Sequence, residues 1–206
     1  LLLLFALIFR AVSFEFRNKV EHDSWRALWD CVHFLSNLIP CVLLGVAFAN
    51  LFMGIPVDAK GVYHGNLLGL LSIYGLAGGV FFLCMFSLHG SLWLAIKSTG
   101  SLQTRAVASA TFLWPLMLVL LVVFLVLTAL YTKLYANYLA MPVLFALPLL
   151  ALGGLVGARV MLGAGKLWLA WACSAVFILG VTFFGVAGMF PGMIISSIDP
   201  AATVTA

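Results

Sequence analysis

The feature that most constrains this chain is a series of five long tracts without a charged residue, at 31–57, 61–96, 106–132, 134–158 and 167–198. Each is longer than the roughly 20 apolar residues that a membrane-spanning helix needs. A helix also satisfies its own backbone hydrogen bonds inside lipid. With 65% hydrophobic and 8% charged residues, the composition excludes an ordinary soluble domain, a disordered chain and a disulfide scaffold. The sequence therefore predicts an all-α fold, a polytopic transmembrane helical bundle.

We expect one transmembrane domain over residues 1–206, with five complete spans and a partial first span. Only the apolar run Leu1 to Phe9 precedes Arg10. At about 1.5 Å per residue, this run covers about half of a hydrocarbon core. We interpret it as the second half of a span, in a fragment that lacks both ends of a longer chain. The expected spans are 1–14 (partial), 26–53, 67–96, 106–131, 138–160 and 167–190.

The basic residues predict the side of the membrane that each loop faces. Eight of the ten lysines and arginines fall in three loop regions that share one side, whereas Lys60 and Lys133 fall on the other. Because cytoplasmic loops are enriched in Lys and Arg, the 15–25 loop is expected on the cytoplasmic side. The net charge of +4 is spread between apolar spans, so we expect contact with membrane lipid and no nucleic-acid partner.

The densest polar segment runs from Arg10 to Asp30 and holds the candidate functional residues. Arg10 and Glu15 lie where the first span leaves the bilayer, Arg17 follows, and Asp30 lies one turn inside the next span. A carboxylate at that depth needs a partner or a water path, because an unpaired charge in lipid is costly. Arg10 is the expected partner, since it lies at a similar depth. Two alternatives remain open: a solvated loop, and a proton relay through Asp30.

Two other functions are compatible with parts of the sequence. His33 and His89 are expected at similar depths on neighbouring spans, which suits axial ligation of a haem iron in a haem b membrane anchor. A secondary transporter is the second alternative, because prolines interrupt the spans 26–53 and 138–160, as at a midplane binding site. In this chain, however, the ionisable residues are concentrated at one face of the membrane, whereas a transporter is expected to place them deep in the bundle. We expect neither catalytic residues nor metal ligands from any other motif.

Four landmarks, in order along the chain, resemble subunit II of the cytochrome bd-type quinol oxidases. They are RAVSFEFR at 10–17 with WR at 25–26 and WD at 29–30, GVAFAN at 45–50 with GIP at 54–56, LHGSLWL at 88–94 with Lys97 and Arg105, and SSIDPA at 196–201. They resemble the segment after the family's third helix, its fourth helix and exit, its fifth-to-sixth helix junction, and the outer segment before its last helix. One departure is Ser72-Ile73, which stands where the family usually has Asn-Pro.

The resemblance implies a non-haem subunit II of a terminal oxidase in the bacterial inner membrane. Such a subunit supports quinol oxidation coupled to reduction of oxygen to water and to formation of a proton gradient. It implies no haem in this chain, haems b and d in a partner subunit I, and a structural quinone in some members. Quinol and a small single-helix subunit are further expected partners. Arg10 and Asp30 align with a charged pair linked to integrity or proton delivery, and His33 and His89 become structural residues.

Overall fold

The computed structural model describes residues 1–198 and 203–205. Across these residues the α-helices are α1 Leu2–Arg17, α2 Asp23–Met53, α3 Ile73–Lys97, α4 Gly100–Tyr131, α5 Tyr135–Ala140, α6 Ala146–Gly163 and α7 Leu167–Met189. Short 3-10 turns cover Leu68–Leu70 and Pro142–Phe145. Two short strands, β1 Gly192–Ile194 and β2 Val204–Thr205, pair antiparallel. The helix pairs α1–α2, α2–α3, α3–α4 and α6–α7 pack together, and α3 also packs on α7.

Five helical segments are long and apolar enough to cross a membrane, namely Asp23–Met53, Ile73–Lys97, Gly100–Tyr131, Pro142–Gly163 and Leu167–Met189. They follow the order of the five complete spans that the uncharged tracts predict. The segment before them, α1, has 16 residues and packs along α2. The predicted helical membrane bundle is confirmed.

The span expected at 67–96 begins as an α-helix only at Ile73. The backbone N–H of Gly75 donates to the Ser72 hydroxyl oxygen at 3.0 Å, which is the usual N-cap contact of a helix start. The departure from the family's Asn-Pro therefore retains a capped helix start. The residues before it form the short 3-10 turn Leu68–Leu70.

The span expected at 138–160 is broken rather than continuous. The helix α5 ends at Ala140, and α6 begins only at Ala146. Pro142 has no backbone N–H and disfavours the helical conformation at Met141 before it, so the chain turns through Pro142–Phe145 instead. Two other spans begin earlier than expected, with α2 at Asp23 and α4 at Gly100.

Glycines set the close contact between α2 and α3. A Cβ atom on Gly78 would lie 2.7 Å from the Cβ of Ala49 and 2.7 Å from the carbonyl oxygen of Gly45. The helices α6 and α7 approach similarly, since a Cβ on Gly180 would lie 2.6 Å from the backbone nitrogen of Ala151. Small residues permit such contacts in lipid, where dispersion between helices replaces the hydrophobic drive.

An aromatic core joins α3, α4 and α7. The ring centroids of Tyr74 and Phe124 are 5.3 Å apart, and Phe81 stacks on Phe124 at 5.0 Å and contacts Phe177 at 6.4 Å. The Tyr74 hydroxyl lies 3.0 Å from the hydroxyl of Thr128, so the phenol is satisfied inside the bundle. This core fixes the helices around the cavity described below.

The exit of α2 is joined to the segment after α7. The Ile55 backbone N–H donates to the Ile195 carbonyl at 2.9 Å, and the Ser197 N–H donates to the Ile55 carbonyl at 3.0 Å. The Ser196 hydroxyl donates to the Val57 carbonyl at 2.6 Å. The second landmark of the sequence thus meets the fourth in space. The Asp199-Pro200-Ala201 part of the fourth landmark lies outside the described residues.

Candidate functional site

An ion pair between Arg17 and Asp30 joins α1 to α2. The Arg17 Nε donates to Asp30 Oδ1 at 2.6 Å, and Nη2 donates to Oδ2 at 3.0 Å. This is the two-point geometry in which guanidinium and carboxylate bind most specifically. The two side chains are 43% and 55% exposed on this chain. The pair therefore lies on the surface of the helical hairpin, where α1 ends and α2 begins.

The prediction that Arg10 pairs with Asp30 is wrong. Only five residues, 18–22, separate α1 from α2, so the antiparallel register is set by a tight turn. In that register Ser13 contacts His33 and Arg17 contacts Asp30. Arg10, one turn further back on α1, is therefore level with residues about two turns beyond Asp30. This register separates Arg10 from Asp30 by about two helical turns along the hairpin axis.

The other two predicted site residues stand apart from this pair. Arg10 and Glu15 are both exposed, and neither forms an ion pair with any residue in the described part of the chain. The Arg10 backbone carbonyl does take part, because it accepts a 2.7 Å hydrogen bond from the Ser13 hydroxyl. The structure thus brings Arg17 and Asp30 together and leaves Arg10 and Glu15 on the outer surface of α1.

A polar network that the sequence did not predict lies deeper in the same hairpin. Ser13 is 2% exposed, and its Oγ lies 2.8 Å from His33 Nδ1. The Asn37 amide donates to the His33 carbonyl at 2.7 Å and lies 3.3 Å from His33 Nε2. Because the Ser13 hydroxyl proton goes to the Arg10 carbonyl, the network is satisfied when His33 carries its proton on Nδ1. A lone serine within the polar segment 10–30 carries no sequence pattern that would predict this contact.

The two histidines of the haem-anchor alternative bind different helices. His33 contacts Ser13 on α1, whereas His89 Nδ1 lies 2.8 Å from the Ser174 hydroxyl on α7. His89 also packs against the Trp171 ring, with centroids 5.3 Å apart. Across the residues that the structure describes, no group of three or more His, Cys, Asp or Glu side chains is arranged to hold a metal ion. Each imidazole therefore has a hydrogen-bonding role between two helices, His33 between α1 and α2 and His89 between α3 and α7.

A cavity of about 750 Å³ opens between α2, α3, α4, α6 and α7. Its walls are almost entirely apolar and aromatic, and they include Phe48, Phe52, Phe81, Phe82, Phe124, Phe145, Leu149, Leu152 and Phe184. The polar groups at its edge are already engaged: the Tyr135 hydroxyl donates to the Leu125 carbonyl at 3.2 Å, and the Thr182 hydroxyl donates to the Ile178 carbonyl at 2.8 Å. The cavity therefore suits a hydrocarbon chain better than a polar ring.

A family model matches the whole chain, and individual known proteins are similar to parts of it. The family described as cytochrome bd terminal oxidase subunit II matches residues 1–206. The chain is 35% identical over 136 residues to cytochrome bd ubiquinol oxidase subunit 2 of Bacillus subtilis, which covers 66% of this chain and 40% of that protein. It is 36% identical over 114 residues to cytochrome bd-I ubiquinol oxidase subunit 2 of Escherichia coli K12, covering 53% of this chain and 30% of that protein.

A similar match is found to the probable cytochrome oxidase subunit 2 of Haemophilus influenzae, at 38% identity over 109 residues, or 51% of this chain and 29% of that protein. The chain thus matches less than half the length of each of these relatives. The family match, by contrast, runs through every helix described above, including the hairpin that carries Arg17 and Asp30. This chain belongs to the cytochrome bd terminal oxidase subunit II family.

Proposed function

We propose that this chain is part of the non-haem subunit of a terminal oxidase that oxidises quinol and reduces oxygen to water in the bacterial inner membrane. The observation that carries the proposal is the family match over residues 1–206, on a bundle with five helices able to cross a membrane. Haems b and d and the quinol site belong, in this proposal, to a separate subunit I. Formation of the proton gradient is then a property of the assembled enzyme. A small single-helix subunit stays a prediction.

Charge placement favours this function over a secondary transporter. From Ile73 to Met189 the basic residues lie at helix ends or in loops, and that stretch contains no Asp or Glu. A transporter that couples to ions places ionisable groups deep in its bundle. The bundle instead offers an apolar cavity and a hydrogen-bonded hairpin, as expected of a subunit that supports a redox partner.

Within the oxidase, we assign the Arg17–Asp30 pair the role of holding α1 against α2. Both carboxylate oxygens of Asp30 accept hydrogen bonds from one guanidinium. A carboxylate held in this way is a poor proton carrier, because protonation would forfeit the two charge-assisted bonds. Bracing is therefore favoured over proton relay for this residue.

The cavity supplies a place for a structural quinone in this proposal. Its volume of about 750 Å³ and its phenylalanine-rich walls suit an isoprenoid tail, and the tail contributes hydrophobic burial when bound. The residues that would hold it are Phe52, Phe82 and Phe184. Filling the cavity with Leu152→Trp should lower the quinone extracted from the purified complex. Val119→Trp, at an exposed position outside the cavity, is the matched control.

The proposed function is tested on the full-length subunit purified with and without its haem-bearing partner. Optical spectra should show haem bands only when the partner is present, and the pair should consume oxygen with quinol as donor. His33→Ala and His89→Ala should retain the full haem content of the complex. Loss of one haem equivalent in either variant would restore the membrane-anchor alternative. A pair that folds but consumes no oxygen would contradict the oxidase proposal.

A further inference from the structure

Three tryptophans and a lysine form a cluster where α3 ends and α7 begins. The Trp93 ring contacts Trp168 at 6.0 Å and Trp171 at 5.2 Å between centroids. The Lys97 ammonium lies 4.8 Å from the centroid of Trp93 and 5.6 Å from that of Trp168. Two faces of indole thus hold the cation by cation–π attraction, which is strongest for tryptophan. We call these four residues the Trp–Lys cluster.

The cluster is open to its surroundings rather than enclosed. Trp93 is 40% exposed and Trp168 is 57% exposed, and Lys97 is exposed as well. An indole that is half in contact with protein and half open is typical of the boundary between hydrocarbon and headgroups. The cluster therefore presents one fixed positive charge on an aromatic base at that boundary.

The two loop regions beside the cluster carry basic residues and no acidic ones. Arg105, Arg159 and Lys166 lie in the same two loop regions as Lys97, and the chain contains no Asp or Glu between Asp58 and Asp199. Among the described residues, the ion pairs are Arg17–Asp30 and His64–Asp58, so these four basic side chains pair with no carboxylate there. An anion supplied from outside the chain would complete the site.

We propose that the Trp–Lys cluster binds the phosphate of an anionic phospholipid, with Lys97 as the phosphate contact and the exposed indoles against the glycerol region and upper acyl chains. The proposal rests on the proposed function as a membrane subunit and on the topology that the basic residues predict, in which this end faces the cytoplasmic leaflet. Basic pockets between helices on that side are suited to anionic headgroups. The indoles orient the ammonium in advance, so little side-chain freedom is lost when the phosphate binds.

The test uses the full-length subunit in its two-subunit complex, in detergent, with phosphatidylglycerol added and counted by native mass spectrometry. Lys97→Gln should weaken retention of this lipid about five-fold, the factor expected for one basic side chain near an anionic surface. Lys97→Arg should keep the wild-type affinity, because arginine retains both the charge and the stacking on indole. Lys133→Gln, an exposed lysine at the opposite end, is the matched control and should change nothing.

Two control arms separate the lipid from other anions. Phosphatidylcholine should bind equally to all variants, and excess inorganic phosphate should not displace phosphatidylglycerol from the wild type. Displacement by phosphate would show a free-anion site and overturn the proposal. Release of the partner subunit by Lys97→Gln, with lipid retention unchanged, would show a protein contact and also overturn it. Oxygen uptake is measured separately, so a complex without oxidase activity that still retains the lipid through Lys97 would contradict only the proposed function.

Discussion

Two arginines about two helical turns apart on α1, Arg10 and Arg17, could pair with Asp30, and the register of the hairpin selects Arg17. The carboxylate binds Arg17 at two points, whereas Arg10, seven residues earlier in the sequence, forms no ion pair within the described residues. The need of Asp30 for a partner was predictable from its place one turn inside an apolar helix. The identity of the partner was not, because it depends on where α1 ends and how tightly residues 18–22 turn.

We therefore expect energetic coupling between Arg17 and Asp30 and none between Arg10 and Asp30. Arg17→Ala and Asp30→Ala should each lower the melting temperature of the purified complex, and the double variant should lower it by less than the two shifts combined. Arg10→Ala combined with Asp30→Ala should give additive shifts. Quinol-driven oxygen uptake is read in the same samples. If the Asp30→Asn complex melts like the wild type but consumes oxygen slowly, Asp30 relays protons, and our assignment of a purely structural role to the Arg17–Asp30 pair is wrong.

The buried hydroxyl of Ser13 gives a second prediction for a single residue. Ser13→Ala removes the acceptor of the His33 Nδ1 proton inside the hairpin. Because His33 is only partly buried, we expect a loss toward the lower end of the about 1–3 kcal/mol that an unsatisfied buried donor costs. The variant should therefore unfold earlier in a denaturant titration. Ser109→Ala is the control, because its hydroxyl is exposed and bonds only to the Arg105 carbonyl of its own helix. Equal stability of the two variants would show that the network contributes nothing measurable.

At the level of helices, the sequence predicted five spans and their order because uncharged length is a direct requirement of the bilayer. The prediction of a continuous span at 138–160 was wrong, because the apolar sequence continues through Pro142 but the α-helix is interrupted there. The sequence also gave no warning of the cavity, because a cavity depends on how five helices diverge rather than on any one of them. The glycines at the α2–α3 contact were visible in the sequence, but their partners were not.

The contact between α2 and α3 predicts a difference between two glycines of the same helix. Gly78→Ala would place a methyl group 2.7 Å from the Cβ of Ala49, and overpacking of this kind costs about 1–3 kcal/mol. Gly90→Ala, with nothing within 4 Å of the added atom, should be neutral or slightly stabilising, since alanine favours helix over glycine. Unfolding of both variants in mixed detergent measures the difference. A stable Gly78→Ala protein would mean that the helices separate without cost.

The loop between α2 and α3 should loosen in acid. The hydrogen bond from His64, with those from the backbone N–H groups of Val62 and Lys60, lowers the pKa of Asp58 below its ordinary value. A group with a lowered pKa stabilises the fold above about pH 4, and this contribution is lost as the pH falls through the lowered pKa. Hydrogen exchange at Lys60 and Val62 should therefore speed up in acid beyond its intrinsic rate. His64→Ala should move the midpoint upward, and an unmoved midpoint would contradict this account.

For the whole molecule, the alternation of α2, α3, α4 and the α6–α7 hairpin puts the loops at Ser98 and Ala164 at one end and those at Lys60 and Lys133 at the other. The first end carries the excess of basic residues, so it should face the cytoplasm.

Single cysteines introduced at these four positions, in full-length protein without its native cysteines, test this topology by labelling with a membrane-impermeant maleimide. Lys60→Cys and Lys133→Cys should label in intact cells, and Ser98→Cys and Ala164→Cys only in inside-out vesicles. The reverse pattern would turn the bundle over, and the Trp–Lys cluster would then face the outer leaflet, against the topology on which the lipid proposal rests.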